Sequence, residues 1–395
     1  MNYTLYHGEF PVCELHCNNK HRIESITRIF DTERLPPGIR RQPKPDAFEL
    51  NEWFFRRGIS AQRDGIDIIL SKEGAESVNE LILQNKGLSL SDHYWVKKQG
   101  DNSEWGAVNF YDNNFGKTGE DIYIGEYEEK VGGEITPNGV SNGNLPKKWI
   151  IKDGKRYLLK GSESALAEEP YHEIIASCFC EKTGITHVNY ELAAYKGKTY
   201  CVCQNMLQKN EELIPAYYVS QEKTKAKETS HYEHYIECCG IFGLKAIRQK
   251  LEKMIVLDYL IANTDRHWGN FGIIRDAKTL EAIRLAPLYD HGAAFFAKMV
   301  NEEISAKNSY LRCQSFKSLQ HDNLKLVTNL EWLNTTAVKE LPELTRELLS
   351  KNGQISVKRL DAVTTGIIDR IKFFEKERKL SVFEPSKKKS TTFKR

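Results

Sequence analysis

Apolar residues recur along this chain in two rhythms, and the changes of rhythm divide it. From Met1 to about Gln42, short alternating pieces are separated by polar turns. Residues 43–60, PKPDAFELNEWFFRRGIS, set a cap-type Asp46 before an amphipathic helix. The segment through Ser89, Leu90, Ser91 and Asp92 again has a helical pattern, with Leu81, Ile82, Leu88 and Leu90 as apolar anchors. Between Trp105 and Gly143 glycine and asparagine are frequent, which predicts loops and short strands and marks a first candidate boundary.

Residues 148–203 read as strand, hairpin, strand, helix, strand: KWIIK, a Lys152-Asp153-Gly154-Lys155 turn, RYLLK, a helix around EEPYHEIIASCFCEKTGI, and TYCVC. Asp-Gly between two apolar runs is a strong hairpin signal, because both central residues of the favoured turn need positive φ. After about Asn210 helical periodicity takes over, with Leu244, Ile247, Leu251, Met254, Ile255 and Ile261 tracing one apolar stripe. Residues 331–380 are also helical in pattern, and 384–395 read as a basic, disordered tail. The pattern predicts an α+β protein: an N-terminal accessory region (1–125), a small β-containing lobe (126–207), a helical lobe (208–383) and the tail (384–395). Ligands favour the cleft between such lobes.

Charge narrows the partners. Lys plus Arg total 57 against 54 Asp plus Glu, a net +3 that is too small for this length to imply direct nucleic-acid or membrane binding. Five of the positive charges (Lys387, Lys388, Lys389, Lys394 and Arg395) fall in the last nine residues, so the remainder is slightly acidic. The nine cysteines include the close pairs Cys178 and Cys180, Cys201 and Cys203, and Cys238 and Cys239, which do not resemble a secreted disulfide framework. The start of the chain has no basic region followed by an apolar run, and no stretch approaches ~18 uncharged apolar residues. The expectation is a cytoplasmic protein.

The candidate chemistry follows the apolar stripe, in Leu260-Ile261-Ala262-Asn263-Thr264-Asp265-Arg266-His267-Trp268-Gly269-Asn270-Phe271-Gly272. Asp265 followed five residues later by Asn270 has the spacing of a kinase catalytic loop, in which the Asp accepts the acceptor hydroxyl proton and the Asn coordinates Mg²⁺. An Asp-x4-Asn spacing alone is common in solvated loops. Here it combines with a long apolar helix, a β-like FGIIRD piece and Leu288-Tyr289-Asp290-His291-Gly292, a second Asp-x-Gly. One carboxylate plus one amide oxygen suits Mg²⁺, which keeps waters and phosphate oxygens as its other ligands. The strand RYLLK ends in Lys160, a candidate phosphate cation, and Glu173 lies on the next helix with Glu168 and Glu169 as rival partners. The turn from Gly139 to Lys147 is rich in Gly and Asn and has the composition of a phosphate-covering loop.

Other chemistries fit less well. Phe115-Gly116-Lys117-Thr118 ends like a Walker loop, but Tyr111 stands where its first Gly belongs. His172-Glu173-Ile174-Ile175-Ala176 lacks the second His of a zinc-protease helix, and Cys13, His16, Cys17 and His21 have no second ligand pair at finger spacing.

Asn263-Thr264-Asp265-Arg266-His267-x-x-Asn270 with Tyr289-Asp290, the Gly143-x3-Lys147 turn, Lys160 and the Glu173 helix together resemble the HipA-like serine/threonine kinases, the toxin-type kinases of bacterial toxin–antitoxin systems. The loop also resembles the Asp-Arg-His-x-x-Asn element of phosphatidylinositol 3/4-kinases. LNEWFFRRGI, LSLSDHYWV, VNFYDNNF and YCVCQNMLQKNEELIPAYYV are similar to segments of a HipA-like subgroup from Gram-positive bacteria, so the resemblance covers about residues 45–300. It implies a bilobal protein-kinase-like fold with Asp265 as catalytic base, Asn270 and Asp290 as Mg²⁺ ligands, and Lys160, ordered by Glu173, as the phosphate lysine. His267 and Tyr289 would lie near the nucleotide. Ser141, Asn142, Gly143 and Lys147 would form the P-loop, and Cys203, Gln204 and Asn205 the adenine hinge. ATP and Mg²⁺ would be the cofactors, a protein Ser/Thr the acceptor, and a small DNA-binding antitoxin the partner. A lipid or small-molecule kinase and a non-catalytic nucleotide-binding module are the alternatives.

Overall fold

The structure, a computed structural model, describes residues 1–40, 45–115, 123–124, 135–141 and 144–379. They form two compact units. The first comprises the described residues of Met1–Pro170 with Val188–Arg248 and His267–Tyr289; the second comprises Tyr171–His187, Gln249–Arg266 and the described part of Asp290–Arg395.

The first unit opens with an antiparallel sheet of β1 (Asn2–His7), β2 (Phe10–Cys17), β3 (Ile23–Ile29) and β4 (Tyr94–Lys98), in the order β3-β2-β1-β4. Alternation sends Tyr3, Leu5, Cys13, Leu15 and Cys17 into a core completed by Leu50, Trp53 and Phe54 of α1 (Ala47–Phe55). Asp46 caps this helix by accepting from the Phe48 amide. Cys13 and Cys17 are core residues, and burial pushes their thiols up to about 12 and about 11.

Helices α2 (Ile66–Glu73) and α3 (Val78–Gln84) follow, and here the helical expectation through Asp92 is corrected. α3 stops because Lys86 and Gly87 both take positive φ, 54° and 63°. A Cβ on Gly87 would also lie 2.6 Å from the Phe54 ring, so glycine is required there. Leu88 and Leu90 are two residues apart, which is not a same-face helix spacing, and they pack in a bent segment with Trp95, Phe110 and Trp149. Between Trp105 and Gly143 the described residues hold no strand. They contain α4 (Trp105–Val108) and a 3-10 turn, Pro137–Val140.

The next sheet has β5 (Lys147–Lys152), β6 (Lys155–Lys160), β7 (Glu191–Tyr195) and β8 (Lys198–Gln204) in the order β5-β6-β8-β7, all antiparallel. The predicted hairpin is present, with Asp153 at φ 50° and Gly154 at φ 72°. β7 carries no signal in the sequence, since none of its residues is fully buried. A third sheet, β11-β10-β9, interrupts the helical periodicity expected after Asn210: the β-like FGIIRD piece supplies β10, whereas β9 and β11 are not expected from the sequence. Its strands are β9 (Glu211–Pro215), β10 (Gly272–Asp276) and β11 (Ala282–Leu285), and β9 is specified by a distant partner, with Ile214 opposite Ile273. Between β9 and β10 the unit also contains α6 (Ala216–Val219) and α7 (His231–Ile241).

A buried polar network ties the first and third sheets together within this unit. Glu212 accepts from Arg275 Nε at 2.5 Å and contacts His7 Nε2 at 2.9 Å, while Arg275 Nη2 donates to the Tyr94 hydroxyl at 3.2 Å. Burial alone pushes the Glu212 carboxyl up, but the Arg275 guanidinium, with the His7 hydrogen bond, outweighs it and holds it well below the ordinary 4.5. A depressed folded value stabilises the fold above the unfolded value, and that stability is lost as pH falls through the folded value. The urea midpoint is therefore expected to drop below about pH 4.5, with a contribution of up to about 1.4 kcal/mol per pH unit. Glu212→Gln should remove that part of the slope in urea titrations from pH 7 to pH 3, and an unchanged slope would show that other carboxylates carry it.

The second unit is helical: α5 (Glu169–Thr183), α8 (Arg248–Leu260), α9 (Asn301–Lys307), α10 (Gln320–Leu324), α11 (Thr335–Leu349) and α12 (Val357–Arg378). α8 departs from the expected stripe. Leu244 and Ile247 precede it, and Leu251 through Leu260 is buried on nearly every side, including Glu252 and Asp258. Among the described residues no helix is long and apolar enough to cross a membrane. The basic tail and most of residues 116–134 lie outside the described residues.

Candidate active site

In the second unit, the loop carrying Asp265 grows from the buried end of α8. Ala262, at φ 54°, turns the chain out of the helix, and the Asn263 amide returns to the Asp258 carbonyl at 2.9 Å. The Asp258 carboxylate then organises the loop. It accepts from Asn263 Nδ2 at 2.8 Å and from Arg266 through Nε at 3.0 Å and Nη2 at 3.1 Å, with Arg266 fully buried. This is the two-pronged geometry in which a guanidinium and a carboxylate fix each other's orientation. Asn263 Oδ1 accepts from the Asp265 amide at 3.1 Å, so the Asn263 side chain links Asp258 to the backbone at Asp265. Asp265 itself is half-buried, and its Oδ1 accepts from Gln314 Nε2 at 3.3 Å.

This frame reaches α12. Gln320 Nε2 donates to the Asn263 carbonyl at 2.6 Å, and its Oε1 accepts from Arg370. Arg370 also donates to the Tyr259 carbonyl at 2.5 Å and the Asn308 carbonyl at 2.9 Å, and burial lowers its guanidinium to about 10.

Asp290 lies in the same unit, with φ 64°. A left-handed non-glycine residue needs support from its surroundings. It comes from Glu173 on α5, whose Oε2 accepts from the next amide, His291 N, at 2.8 Å, and from the Phe295 amide, which donates to the Ile261 carbonyl at 2.7 Å. His172, one residue before Glu173, contacts the Gly292 carbonyl through Nδ1 at 2.9 Å. Burial keeps the His291 ring's pKa below its ordinary 6.5. Glu173 therefore has a task that the resemblance does not announce: it holds the backbone beside Asp290.

The first unit holds the remainder of the loop. The Asn270 amide donates to the His267 carbonyl at 2.9 Å, and the Gly269 amide donates to His267 Nδ1 at 3.0 Å, which assigns the ring proton to Nε2. The Tyr289 hydroxyl donates to the Gly269 carbonyl at 2.9 Å. Amides of Tyr217 and Ala216 donate to the carbonyls of Trp268 and Phe271, anchoring the loop beside β9.

Lys160 ends β6, buried, opposite Lys147 in β5 and Cys201 in β8, with Nζ 5.6 Å from the Tyr190 ring. Glu169, a rival partner, instead receives Ser164 Oγ at 2.7 Å and the Ser164 amide at 3.1 Å. Ser141 closes the Pro137–Val140 turn, which Asn138 fastens to β5 by accepting from the Trp149 amide at 2.7 Å. Asn142 and Gly143 lie outside the described residues. The ladder between β8 and β7 ends at Val202, so Cys203 and Gln204 continue alongside β6 only. Asn205 is committed to structure, donating to the carbonyls of Arg156 at 2.8 Å and Leu90 at 3.1 Å.

The candidate residues thus fall into two groups: Asp265, Glu173 and Asp290 in the second unit, and Ser141, Lys147, Lys160, Cys203, Gln204, Asn205, His267, Asn270 and Tyr289 in the first. Three supporting residues escape the sequence reading. Asp258 is signalled there as the one charge in the apolar run MIVLDYLIA, whereas Gln320 and Arg370 have no local signal.

Residues 125–350 match the family described as the HipA-like C-terminal domain. The serine/threonine-protein kinase CtkA of Helicobacter pylori (strain J99) is 23% identical over 238 residues, 52% of this chain and 70% of that protein. A HipA structure from Shewanella oneidensis, solved in the complex of the toxin–antitoxin system HipA, HipB and its operator DNA, aligns with a TM-score of 0.54 at 12% identity, covering 96% of this chain and 100% of that one. The crystal structure of Helicobacter pylori CtkA aligns at a TM-score of 0.44 and 16% identity, over 57% of this chain and 90% of that one. With its mixed α+β, kinase-like fold and a family match over more than half its length, the chain belongs to the HipA-like C-terminal domain family.

Proposed function

We propose that this protein is a kinase of HipA type that uses ATP and Mg²⁺ to transfer the γ-phosphate to a Ser or Thr hydroxyl of a protein. The observation that carries this reading is the frame around Asp265: a fully buried Arg266 and its Asp258 carboxylate hold the loop, while Asp265 remains half-buried at its surface. Such a frame suits a base that must meet an incoming hydroxyl in a fixed orientation.

Asp265 accepts the acceptor proton. Asn270 and Asp290 supply hard oxygen donors of the kind Mg²⁺ takes, and the held backbone at Asp290 fits that role. The metal, when bound, neutralises charge developing on the transferred phosphoryl group. Lys160 and the protonated Nε2 of His267 bind phosphate oxygens, and Ser141 and Lys147, with Asn142 and Gly143, cover them. The main chain at Cys203 and Gln204 takes the adenine, and Tyr289 holds the loop at Gly269.

The HipA relative's complex with HipB and DNA supports a small DNA-binding antitoxin as partner, and with it a toxin role. The cysteine content and low net charge support a cytoplasmic protein that binds neither membrane nor nucleic acid directly.

Incubation with γ-labelled ATP and a panel of protein, inositol-lipid and sugar acceptors, with Mg²⁺ or with EDTA, tests the reading. Label on protein Ser/Thr, located by mass spectrometry and lost with EDTA, is the expected result. Label on lipid or sugar alone would replace it with the small-molecule kinase, and thermal stabilisation by ATP without any transfer would replace it with the non-catalytic module.

A further inference from the structure

Residues Leu311 to Gln320 form a short hairpin in the second unit. The Gln320 amide donates to the Leu311 carbonyl at 2.9 Å, the Cys313 amide to the Ser318 carbonyl at 3.0 Å, and Arg312 pairs with Leu319. Its turn is held by Asn323 of α10, which is 4% exposed. Asn323 Nδ2 donates to the carbonyls of Lys317 at 3.0 Å and Leu319 at 3.1 Å, and its Oδ1 accepts from the Lys317 amide at 3.1 Å. Phe316 is buried and anchors the tip. At the base, Gln320 is the same residue that donates to the Asn263 carbonyl and accepts from Arg370. Hairpin and Asp265 loop therefore share one frame, which fixes the hairpin tip against Asp265. There the exposed Gln314 donates Nε2 to Asp265 Oδ1 at 3.3 Å.

A general base works best when a third group orients it. A carboxylate has two oxygens, and a donor on one of them sets the plane in which the other accepts. Asn263 fixes the Asp265 amide, and Gln314 acts on the side-chain carboxylate itself by donating to Oδ1. We propose that Gln314 is a positioning residue that orients the Asp265 carboxylate toward the acceptor hydroxyl. This rests on the reading of Asp265 as the base.

Gln314→Ala and Gln314→Glu, assayed in the full chain with ATP and an unphosphorylated protein acceptor that the wild-type chain phosphorylates, test it. Gln314→Ala should lower kcat about 10-fold, as loss of one orienting hydrogen bond does, with KM for ATP unchanged. Gln314→Glu has the same shape but places a second carboxylate beside Asp265. It should lower kcat further and move the acidic limb of the kcat–pH profile to higher pH, because like charges oppose ionisation. Both variants should keep the wild-type Tm, since Asn323 and Phe316 hold the hairpin. Wild-type kcat and pH profile in both variants would overturn the proposal, as would a drop in Tm matching that of Asn323→Ala, which would mark a structural role. Failure of the underlying reading shows differently: Asp265→Asn would then retain transfer, or the wild-type chain would transfer nothing, and the role of Gln314 would fall with it.

Discussion

Asp265→Asn is expected to lower phosphoryl transfer by about 10²–10⁴-fold, the range removed with a general base, while leaving the fold unchanged. Asparagine keeps the size and one acceptor oxygen of the side chain but cannot take a proton from the acceptor hydroxyl. The structural work of the loop is done by neighbours: Asp258, Asn263 and Arg266 make its buried hydrogen bonds, whereas Asp265 is half-buried and meets the exposed Gln314. The stability change should thus stay within about 0.5 kcal/mol, as for surface substitutions. Initial rates of labelled-phosphate incorporation and a urea titration check both halves. A variant that transfers at the wild-type rate would remove Asp265 from the chemistry, and one that is inactive only because it unfolds would make it a structural residue. In the Asp265→Asn background, Gln314→Ala should cost nothing further, since groups that act as a unit are not additive.

Asp258→Ala should have the largest effect on stability. Arg266 is fully buried, and the Asp258 carboxylate meets it through two nitrogens. Removing one member of a buried pair leaves the other charge desolvated without it, a loss of about 3–5 kcal/mol. That compares with a total stability of about 5–15 kcal/mol for a folded domain, so the variant should unfold at a much lower urea concentration. The exposed pair Arg346–Asp361 supplies the contrast. Its side chains are 41% and 57% exposed, and Asp361→Ala should cost less than about 1 kcal/mol because solvent screens both charges. Equal losses in the two variants would show that burial of Arg266 does not govern the loop's stability.

The elements legible in the sequence are those whose signal is local. The cap at Asp46 works through an amide two residues away, and the Asp153-Gly154 turn through the φ values of those two residues. The Leu88 and Leu90 spacing misleads because the chain has left the helix at Lys86 and Gly87, where φ is positive and the Phe54 ring of another element leaves no room for a Cβ. β9 is invisible as a strand because Ile273 and Ile274, its partners, are supplied by a distant segment.

The candidate site divides in the same way. Asp265, Asn270, Asp290 and Lys160 can be picked out as candidates because phosphoryl transfer needs particular groups at particular spacings, and that pattern points to the family to which the chain belongs. What holds these candidates in place comes from contacts between distant segments. Asp258 fastens Arg266, Gln320 joins Asn263 to Arg370, Glu173 supports the backbone at Asp290, and Gln314 reaches Asp265. Reactive groups are recognised by type and spacing along the chain. The hydrogen bonds that orient them close between segments separated by 50 to 118 residues in three of these contacts, and no periodicity along the chain records such a closure.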